Sequence, residues 1–501
     1  MINCAEIFTD HMVLKRDERV CIWGECDNDN DIILSIDDIL ITTKALNGKY
    51  VIFLPLHSKG GPYDLTITNN DDSIVFTDVM YGEVFLALGQ SNMEMELSAC
   101  LNGKTEAQNA NLPEIRFFNV PKVGYIDDKV LEENRDNIWH KCVGEESLTM
   151  SAVAFFAAKK IHEELDVPIG VIDCYQGGTS ICSWLPEEIL ETNPFGRRFT
   201  KEYNELIKDK TDEQYDKEVK EYWEEWNYWN DRVNYVKANN HLANWEVIKN
   251  YAGECPWPQP AGRKSVFRPS GCYYTMVRRV TPYTISAMWF YQGETDAENY
   301  DNYYELLRHF VIDLRKNFDI PQIPFFILQL PMFIEKGAQD DCTWANMREI
   351  QRTICEDLTD LHMICLADCG EFDNIHPVDK QTPGDRLGML VLEKQFGFDM
   401  SANAMTFASI KKQDKCIEIE TNNSYGEIVI GEETSNDCGF EISKDGTDFV
   451  KASFSIDGTK IIVNDTCDAK YIRYAWTNYG KVRIFNKNGI PFVPFGSQML
   501  E

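Results

Sequence analysis

The sequence predicts an α/β protein built on a parallel sheet with helices on both faces, flanked by β-sandwich-like regions and interrupted by a helical insertion. Three observations predict this fold class. Apolar strands alternate with amphipathic helices through the middle of the chain, short strands broken by turn residues fill both ends, and an acidic, aromatic-rich stretch splits the alternation. At 501 residues, the chain is long enough for about two to four domains.

Residues 1–82 are predicted to form an N-terminal β-sandwich region. Its apolar runs Val20–Trp23, Ile32–Ile36 and Tyr50–Leu54 are short, and turn residues such as Gly60-Gly61 separate runs of this kind. This spacing is typical of a small sandwich.

Residues 83–192 and 263–398 are predicted to form the two parts of one α/β domain. The predicted strands are Gly82–Leu88, Ile169–Cys174, Ile285–Phe290, Phe325–Leu330 and Met363–Asp368, and the predicted helices are Ser151–Leu165, Tyr300–Asn317, Trp344–Leu358 and Gly384–Gln395. Strands that alternate with helices form a parallel sheet, and such sheets bind ligands beyond the carboxyl ends of their strands.

Residues 193–262 are predicted to be the helical insertion. Trp223, Trp226 and Trp229 recur every three residues in it, which favours a buried helix face. The alternative is a platform for a sugar, because an insertion between strand and helix lies near the ligand-binding edge. Residues 399–501 are predicted to form a C-terminal β-rich region.

The composition excludes several classes of partner. Hydrophobic residues make up 44% and charged residues 26%, as in ordinary globular proteins, while 49 Lys and Arg against 81 Asp and Glu give a net charge of −32. This acidity argues against nucleic acid or an anionic membrane as the main partner. No apolar run is long enough for a membrane span, and no secretory signal is visible, which predicts a cytoplasmic protein. The 16 cysteines include no C-x-x-C pair and indicate reduced thiols.

Candidate catalytic residues follow the predicted strands. Ser91 comes after the first strand at a glycine-preceded turn, where a nucleophile is exposed, although a simple helix cap is the alternative. Gly177 and Gly178 follow the second strand; they either aim a backbone N–H at a ligand or form a tight turn. Gln292 follows the third strand and either donates to an oxyanion or is satisfied within its turn.

The last strand is followed by Asp373-Asn374-Ile375-His376. A D-x-x-H unit allows a carboxylate to orient an imidazole toward a nucleophile. Four such features at four strand ends predict a nucleophilic site far more strongly than any one of them.

These motifs resemble the SGNH hydrolase superfamily, in its branch of sialate O-acetylesterases and related carbohydrate acetylesterases. The similarity lies in GQSNMEM at Gly89–Met95, YQGGTS at Tyr175–Ser180, WFYQGETDA at Trp289–Ala297 and IHPVDK at Ile375–Lys380. It extends to both ends of the chain and leaves out mainly the insertion. The resemblance implies an SGNH-type sheet and a serine esterase that deacetylates a sugar through an acetyl-enzyme.

By the same resemblance, Ser91 is the nucleophile and His376 the general base, while the N–H groups of Ser91 and Gly178 and the side chain of Gln292 form the oxyanion hole. Asp373 completes a catalytic triad, with Glu294 or Asp368 as alternatives for the acid. Gln90, Asn92, Glu294 and Arg348 are expected to bind substrate. No metal or organic cofactor is expected, and the oligomeric state is not predicted.

The substrate class stays open at this point. The resemblance covers acetylated sialic acid as well as acetylated xylan and xyloglucan. The net charge favours a neutral glycan, whereas Arg263, Arg268 or Arg348 would serve an anionic one. A non-catalytic carbohydrate-binding protein is the rival from another class. A glycoside hydrolase, with Glu94 and Glu294 as its two carboxylates, is a third reading.

Overall fold

The N-terminal region consists mainly of antiparallel strands, and it merges into the central sheet. The computed structural model describes residues 2–27, 30–70, 72–134, 136–240, 243, 245–464, 466 and 468–500. The strands are β1 Ile2–Cys4, β2 Val13–Lys15, β3 Val20–Cys26, β4 Asp31–Ile36, β5 Ile39–Lys44, β6 Lys49–Leu54, β7 Gly60–Thr68 and β8 Ser73–Gly89. β1, β3 and β6 form one sheet, while β2, β4, β5 and β7 are joined to β8. The predicted boundary at residue 82 lies inside β8, a single strand of 17 residues.

The central sheet is parallel except at one edge. Its further strands are β9 Asn111–Asn119, β10 His140–Val143, β11 Ile169–Tyr175, β12 Ala287–Tyr291, β13 Phe325–Leu328 and β14 Leu361–Ile364. The order is β10-β9-β11-β8-β12-β13-β14, and only β10 runs antiparallel to its neighbour. The chain order reverses at β8, which lies between β11 and β12. The predicted α/β class is confirmed, and β8 ends at the topological switch point where such sheets bind ligands.

The helices either flank this sheet or, like two helices of the insertion, pack on each other. They are α1 Ser91–Glu94, α2 Gly103–Asn109, α3 Asp128–Glu133, α4 Ala152–Leu165, α5 Glu187–Thr192, α6 Pro194–Ile207, α7 Asp212–Asn239, α8 Trp245–Ala252, α9 Arg278–Val280, α10 Tyr300–Asn317, α11 Thr343–Asp357 and α12 Gln381–Phe396. Ser151 caps α4 by accepting from Ala154 N–H. α4 packs closely on α12, because a Cβ on Gly384 would lie 2.6 Å from Cβ of Phe156. No helix among these residues is long and apolar enough to cross a membrane.

The insertion carries a small core of its own. Val233, Val236 and Ile248 form it, with Trp229 packed against them. The aromatic stripe is not buried along its length, because Trp223 is 41% exposed.

The C-terminal region is a set of antiparallel sheets with a second hydrophobic core. Its strands are β15 Thr406–Lys412, β16 Cys416–Asn422, β17 Ile428–Ile430, β18 Phe440–Ser443, β19 Phe449–Ala452, β20 Phe454–Asp457, β21 Lys460–Asn464, β22 Tyr471–Tyr474, β23 Ile484–Asn486 and β24 Phe495–Met499. Met332, Cys365 and Ala367 from the α/β domain belong to that core, so the region packs directly beneath the last central strands. The fifteen cysteines that the structure describes are all free thiols.

Candidate active site

Ser91 and His376 meet at the carboxyl edge of the central sheet. The Oγ of Ser91 lies 2.7 Å from Nε2 of His376, which is hydrogen-bond distance. Ser91 is the first residue of α1, directly beyond β8. Gly89 has φ +138°, and a Cβ there would lie 2.1 Å from the Tyr291 carbonyl oxygen. Only glycine allows the ends of β8 and β12 to approach this closely before the chain turns into α1.

The loop that carries His376 is held in place by hydrogen bonds to one carboxylate. The side chain of Glu371 accepts from Nδ2 of Asn374 at 2.8 Å and from the N–H of Val378 at 2.9 Å. Oδ1 of Asn374 in turn accepts from the N–H of His376 at 3.1 Å. The backbone on both sides of the imidazole is therefore fixed by Glu371, a residue that the sequence reasoning missed.

The imidazole is held in its neutral form. Burial, reinforced by the nearby positive charge of Lys380, lowers the pKa of His376 to about 4. A neutral imidazole can accept the Ser91 proton at Nε2, as general-base catalysis requires.

The prediction that Asp373 orients His376 is wrong in this structure. Asp373 has φ +58°, and its carboxylate accepts from the N–H of Lys336 at 2.9 Å. The left-handed turn directs the carboxylate toward the neighbouring loop. Asp368, one alternative acid, is paired in bidentate fashion with Arg386 at 2.6 and 2.7 Å. Within the described residues, no carboxylate is hydrogen-bonded to the His376 ring.

Gln292 also differs from its predicted role. Its Nε2 donates to the Thr179 carbonyl at 3.1 Å and to Asp296 at 2.6 Å, and its Oε1 accepts from the Tyr303 hydroxyl at 2.5 Å. A carboxamide has two N–H donors, and both are used in a fully buried position. Gln292 therefore positions the turn that contains Gly178 and has no donor left for an oxyanion.

Asp296 completes this support. It accepts from the Ser180 hydroxyl at 2.6 Å and from the N–H of Ile181 at 2.8 Å, in addition to Gln292. Burial raises the pKa of Asp296, while these three donors oppose the rise. The sequence signal for it was the four-residue spacing between Gln292 and Asp296.

Two backbone N–H groups remain available, one at Ser91 itself and one in the turn after β11, whose Gly177 approaches Ser91. Among the described residues, neither the N–H of Ser91 nor that of Gly178 meets a hydrogen-bond acceptor. Gly178 has φ +71°, a conformation that favours glycine. Its neighbour Gly177 donates to the carboxylate of Glu94, which also pairs with Lys122. The turn is thus fastened to α1, the helix that begins at Ser91.

The side chains predicted to bind substrate are buried and hydrogen-bonded within the protein. Asn92 is fully buried; its Nδ2 donates to Glu294 at 2.6 Å and to the Ile375 carbonyl at 3.0 Å, and its Oδ1 accepts from Lys380 at 2.7 Å. Burial raises the pKa of Glu294 and lowers that of Lys380 to about 8. These three side chains join the nucleophile turn, the loop after β12 and the His376 loop. Glu294, the other alternative acid, is bonded here and not to the imidazole.

Gln90 and Arg348 are likewise buried. Gln90 is 2% exposed, and its Oε1 accepts from the N–H groups of Gly293 and Thr295 at 3.4 Å. Arg348 is 0% exposed and donates to the Thr477 carbonyl in the C-terminal region. The prediction that Arg348 binds substrate is therefore wrong, because helix α11 turns this side chain toward the second core.

The described residues contain no group of three or more His, Cys, Asp or Glu side chains that could hold a metal ion.

A serine–histidine pair at the switch point of a parallel sheet, flanked by free backbone N–H groups, defines the class of α/β serine hydrolases. The family model for carbohydrate esterase, sialic acid-specific acetylesterase, matches residues 81–221 and 261–390, which is more than half of the chain. The chain belongs to this family, which makes it a carboxylic ester hydrolase and confirms the resemblance inferred from the motifs.

Individual proteins are similar to the chain over its whole length. The sialate O-acetylesterase of Mus musculus is 23% identical, over 99% of this chain and 94% of that protein. The rat sialate O-acetylesterase is 22% identical over the same shares. The crystal structure of a carbohydrate acetylesterase from Xanthomonas citri superposes with a TM-score of 0.78 and 22% identity, covering 99% of both chains. This last similarity shows that the whole fold is shared.

Proposed function

We propose that this protein removes O-acetyl groups from a carbohydrate through an acetyl-enzyme on Ser91. The observation that carries the proposal is the 2.7 Å contact between Ser91 Oγ and His376 Nε2 at the switch point of the sheet. Membership of the carbohydrate esterase family supports the reaction class.

In the first half of the reaction, Ser91 Oγ attacks the acetyl carbonyl carbon while its proton passes to Nε2 of His376. The tetrahedral oxyanion accepts from the N–H groups of Ser91 and Gly178. The bond between the acetyl carbon and the sugar oxygen then breaks, and His376 gives its proton to that oxygen. In the second half, His376 takes a proton from water, the hydroxide attacks the acetyl group, and acetate leaves as Ser91 recovers its proton.

The two catalytic contributions have ordinary magnitudes. General-base assistance supplies about 10²- to 10⁴-fold, and an oxyanion donor about 10²- to 10³-fold. Because no acid holds the imidazole in the described structure, its orientation depends on Glu371 through Asn374 and on Asn92 through Ile375.

The substrate proposed is an acetylated sugar, and two classes remain candidates. The names of the mammalian relatives point to sialic acid, and that of the Xanthomonas structure points to carbohydrates more broadly. The alternative is an acetylated plant glycan such as xylan or xyloglucan. Burial of Arg348 removes one of the three arginines that would favour an anionic sugar.

The test is acetate release from acetylated sialic acid, xylo-oligosaccharide and xyloglucan fragments by the wild-type protein and by Ser91→Ala. We expect release from at least one sugar and a loss of about 10³-fold or more in the variant. The matched control is Ser98→Ala. Ser98 lies seven residues after Ser91, and its hydroxyl donates to Glu96. Normal turnover by Ser91→Ala would overturn the proposal, and sugar cleavage without acetate release would favour a glycoside hydrolase.

The rival reading, a carbohydrate-binding protein without catalysis, is separated by covalent labelling. A serine-reactive phosphonate should label wild-type protein at Ser91 and leave His376→Ala unlabelled, because the serine needs a base to react.

A further inference from the structure

Trp257 places an aromatic ring from the insertion against the proposed oxyanion turn. A Cβ on Gly178 would lie 2.1 Å from Cη2 and 2.4 Å from Cζ2 of Trp257, so the benzene edge of the indole occupies the space beside that glycine. The Gly178 N–H is one of the two proposed oxyanion donors. A ring at this position is next to the place where the acetyl carbonyl must sit.

The ring is both exposed and supported. Trp257 is 51% exposed, which is high for a tryptophan that touches other aromatic groups. Phe267 meets it edge-to-face, with ring centroids 5.5 Å apart and an interplanar angle of 84°. This T-shaped contact is a favoured aromatic geometry and fixes the ring plane while leaving part of its surface open.

The segment that carries Trp257 is anchored a few residues later. The hydroxyl of Tyr203 on α6 accepts from the N–H of Gly262 at 3.1 Å and donates to its carbonyl at 2.9 Å. Nζ of Lys210 donates to the Ala261 carbonyl at 2.9 Å. The segment is therefore fixed at Ala261 and Gly262, and the ring is packed on Phe267 before substrate binds, which reduces the entropy lost on binding.

The insertion also reaches the other side of the site. Lys336 pairs with Glu246 on α8 at 2.7 Å, and Lys249 on α8 lies 3.9 Å from Glu335. The backbone of this same loop is bonded to Asp373, three residues before His376. The insertion thus contacts both the oxyanion turn and the loop bonded to Asp373.

We infer that Trp257 is the platform on which the acetylated sugar packs, so that the insertion selects a pyranose ring as the alcohol part of the ester. A pyranose presents a face of C–H groups that carry partial positive charge, and these pack favourably on the electron-rich face of an indole. The inference rests on the proposed deacetylation and adds to it the residue that distinguishes a sugar from any other alcohol.

The experiment compares an ester that has a sugar ring with one that has no ring. Acetate release is measured on acetylated xylo-oligosaccharide, on acetylated sialic acid and on ethyl acetate for wild type, Trp257→Ala, Trp257→Phe and the control Trp223→Ala. We expect Trp257→Ala to lower kcat/KM for a sugar ester about tenfold more than for ethyl acetate, mainly through KM. Trp257→Phe keeps a smaller ring and should lose less, and Trp223→Ala should leave the ratio unchanged.

Equal losses on sugar and ethyl esters in both Trp257 variants would overturn the inference. Preference for one of the two sugars in wild type decides which pyranose the platform serves. Failure of wild-type protein to deacetylate any sugar would instead contradict the proposed function, so the two failures are distinguishable. Binding without turnover gives a second readout. Acetylated sugar should quench tryptophan fluorescence in Ser91→Ala, and persistence of the full quench in Ser91→Ala/Trp257→Phe would also count against Trp257.

Discussion

Asn92, the neighbour of the proposed nucleophile, donates a 3.0 Å hydrogen bond to the carbonyl of Ile375, the neighbour of the proposed base. The same amide group bridges Glu294 and Lys380 at 2.6 and 2.7 Å. The distance between Ser91 and His376 is therefore controlled through the residues beside them.

Asn92→Ala should reduce kcat at least tenfold with little change in KM for 4-nitrophenyl acetate. The variant frees the His376 loop and leaves Glu294 and Lys380 buried without their shared partner, which also lowers Tm. Steady-state kinetics and thermal unfolding measure the two effects. Asn134→Ala removes an amide bonded to Val130 outside the site and serves as the control. Wild-type kcat in Asn92→Ala would mean that the loop holds itself in place.

Asp373→Asn should keep kcat/KM within about threefold of wild type. Its carboxylate is bonded to the Lys336 N–H, and an asparagine oxygen can accept the same bond. An acid that orients a catalytic histidine costs about 10⁴-fold when it becomes an amide. A loss of that size would restore Asp373 to the triad.

Gly178→Ala should lower kcat strongly, because the new methyl group would collide with Trp257 at a residue with φ +71°. Gly144→Ala is a matched control: it has φ +55°, but no atom lies within 4 Å of its Cβ. The control therefore carries only the backbone cost of about 1 kcal/mol. A comparison of kcat and Tm between the two variants separates the effect of the collision with Trp257 from that of backbone strain. Equal kcat values in the two variants would contradict a role for the oxyanion turn.

The acid limb of the pH profile of kcat/KM should lie below the range expected for an ordinary histidine. The base acts only when neutral, and its pKa of about 4 predicts that kcat/KM declines as the pH falls through about 4. Lys380→Gln removes a positive charge that disfavours the imidazolium ion, so the pKa of His376 rises and the acid limb moves to higher pH. Lys336→Gln, at an exposed lysine paired with Glu246, is the control.

A pH profile of kcat/KM for each variant checks this prediction. An acid limb in Lys380→Gln that coincides with the wild-type limb would show that Lys380 does not act on His376.

Sequence reasoning identified the residues whose positions depend only on the order and direction of the strands. Ser91 and His376 follow parallel strands, whose carboxyl ends meet at one edge, so their encounter followed from strand order and spacing. The alternation of strands and helices likewise predicted the α/β class.

It failed where the outcome depended on which hydrogen bonds a side chain had already made. The D-x-x-H spacing suits a triad, but the left-handed backbone at Asp373 directs its carboxylate to Lys336. For Gln292 the sequence left a free donor and a satisfied side chain as alternatives, because it does not show that Thr179 lies beside the carboxamide or that Asp296, four residues on, faces it.

The aromatic residues of the insertion show the same limit. The regular spacing of Trp223, Trp226 and Trp229 indicated a helix face, whereas Trp257 lies in a proline-rich segment without periodicity. Only its contact with Gly178 distinguishes it.

Strand β8 has a consequence for truncation and domain exchange. Its first half pairs with β2 at Met80 and with β7 at Val79, and its second half pairs with β11 and β12 up to Gly89. β8 is therefore one continuous strand that links the N-terminal sheet to the turn that presents Ser91, with one left-handed residue, Asp78 at φ +57°, in its first half. A chimera joined at residue 82 would divide this strand in the middle. A working junction therefore has to lie upstream of Ser73.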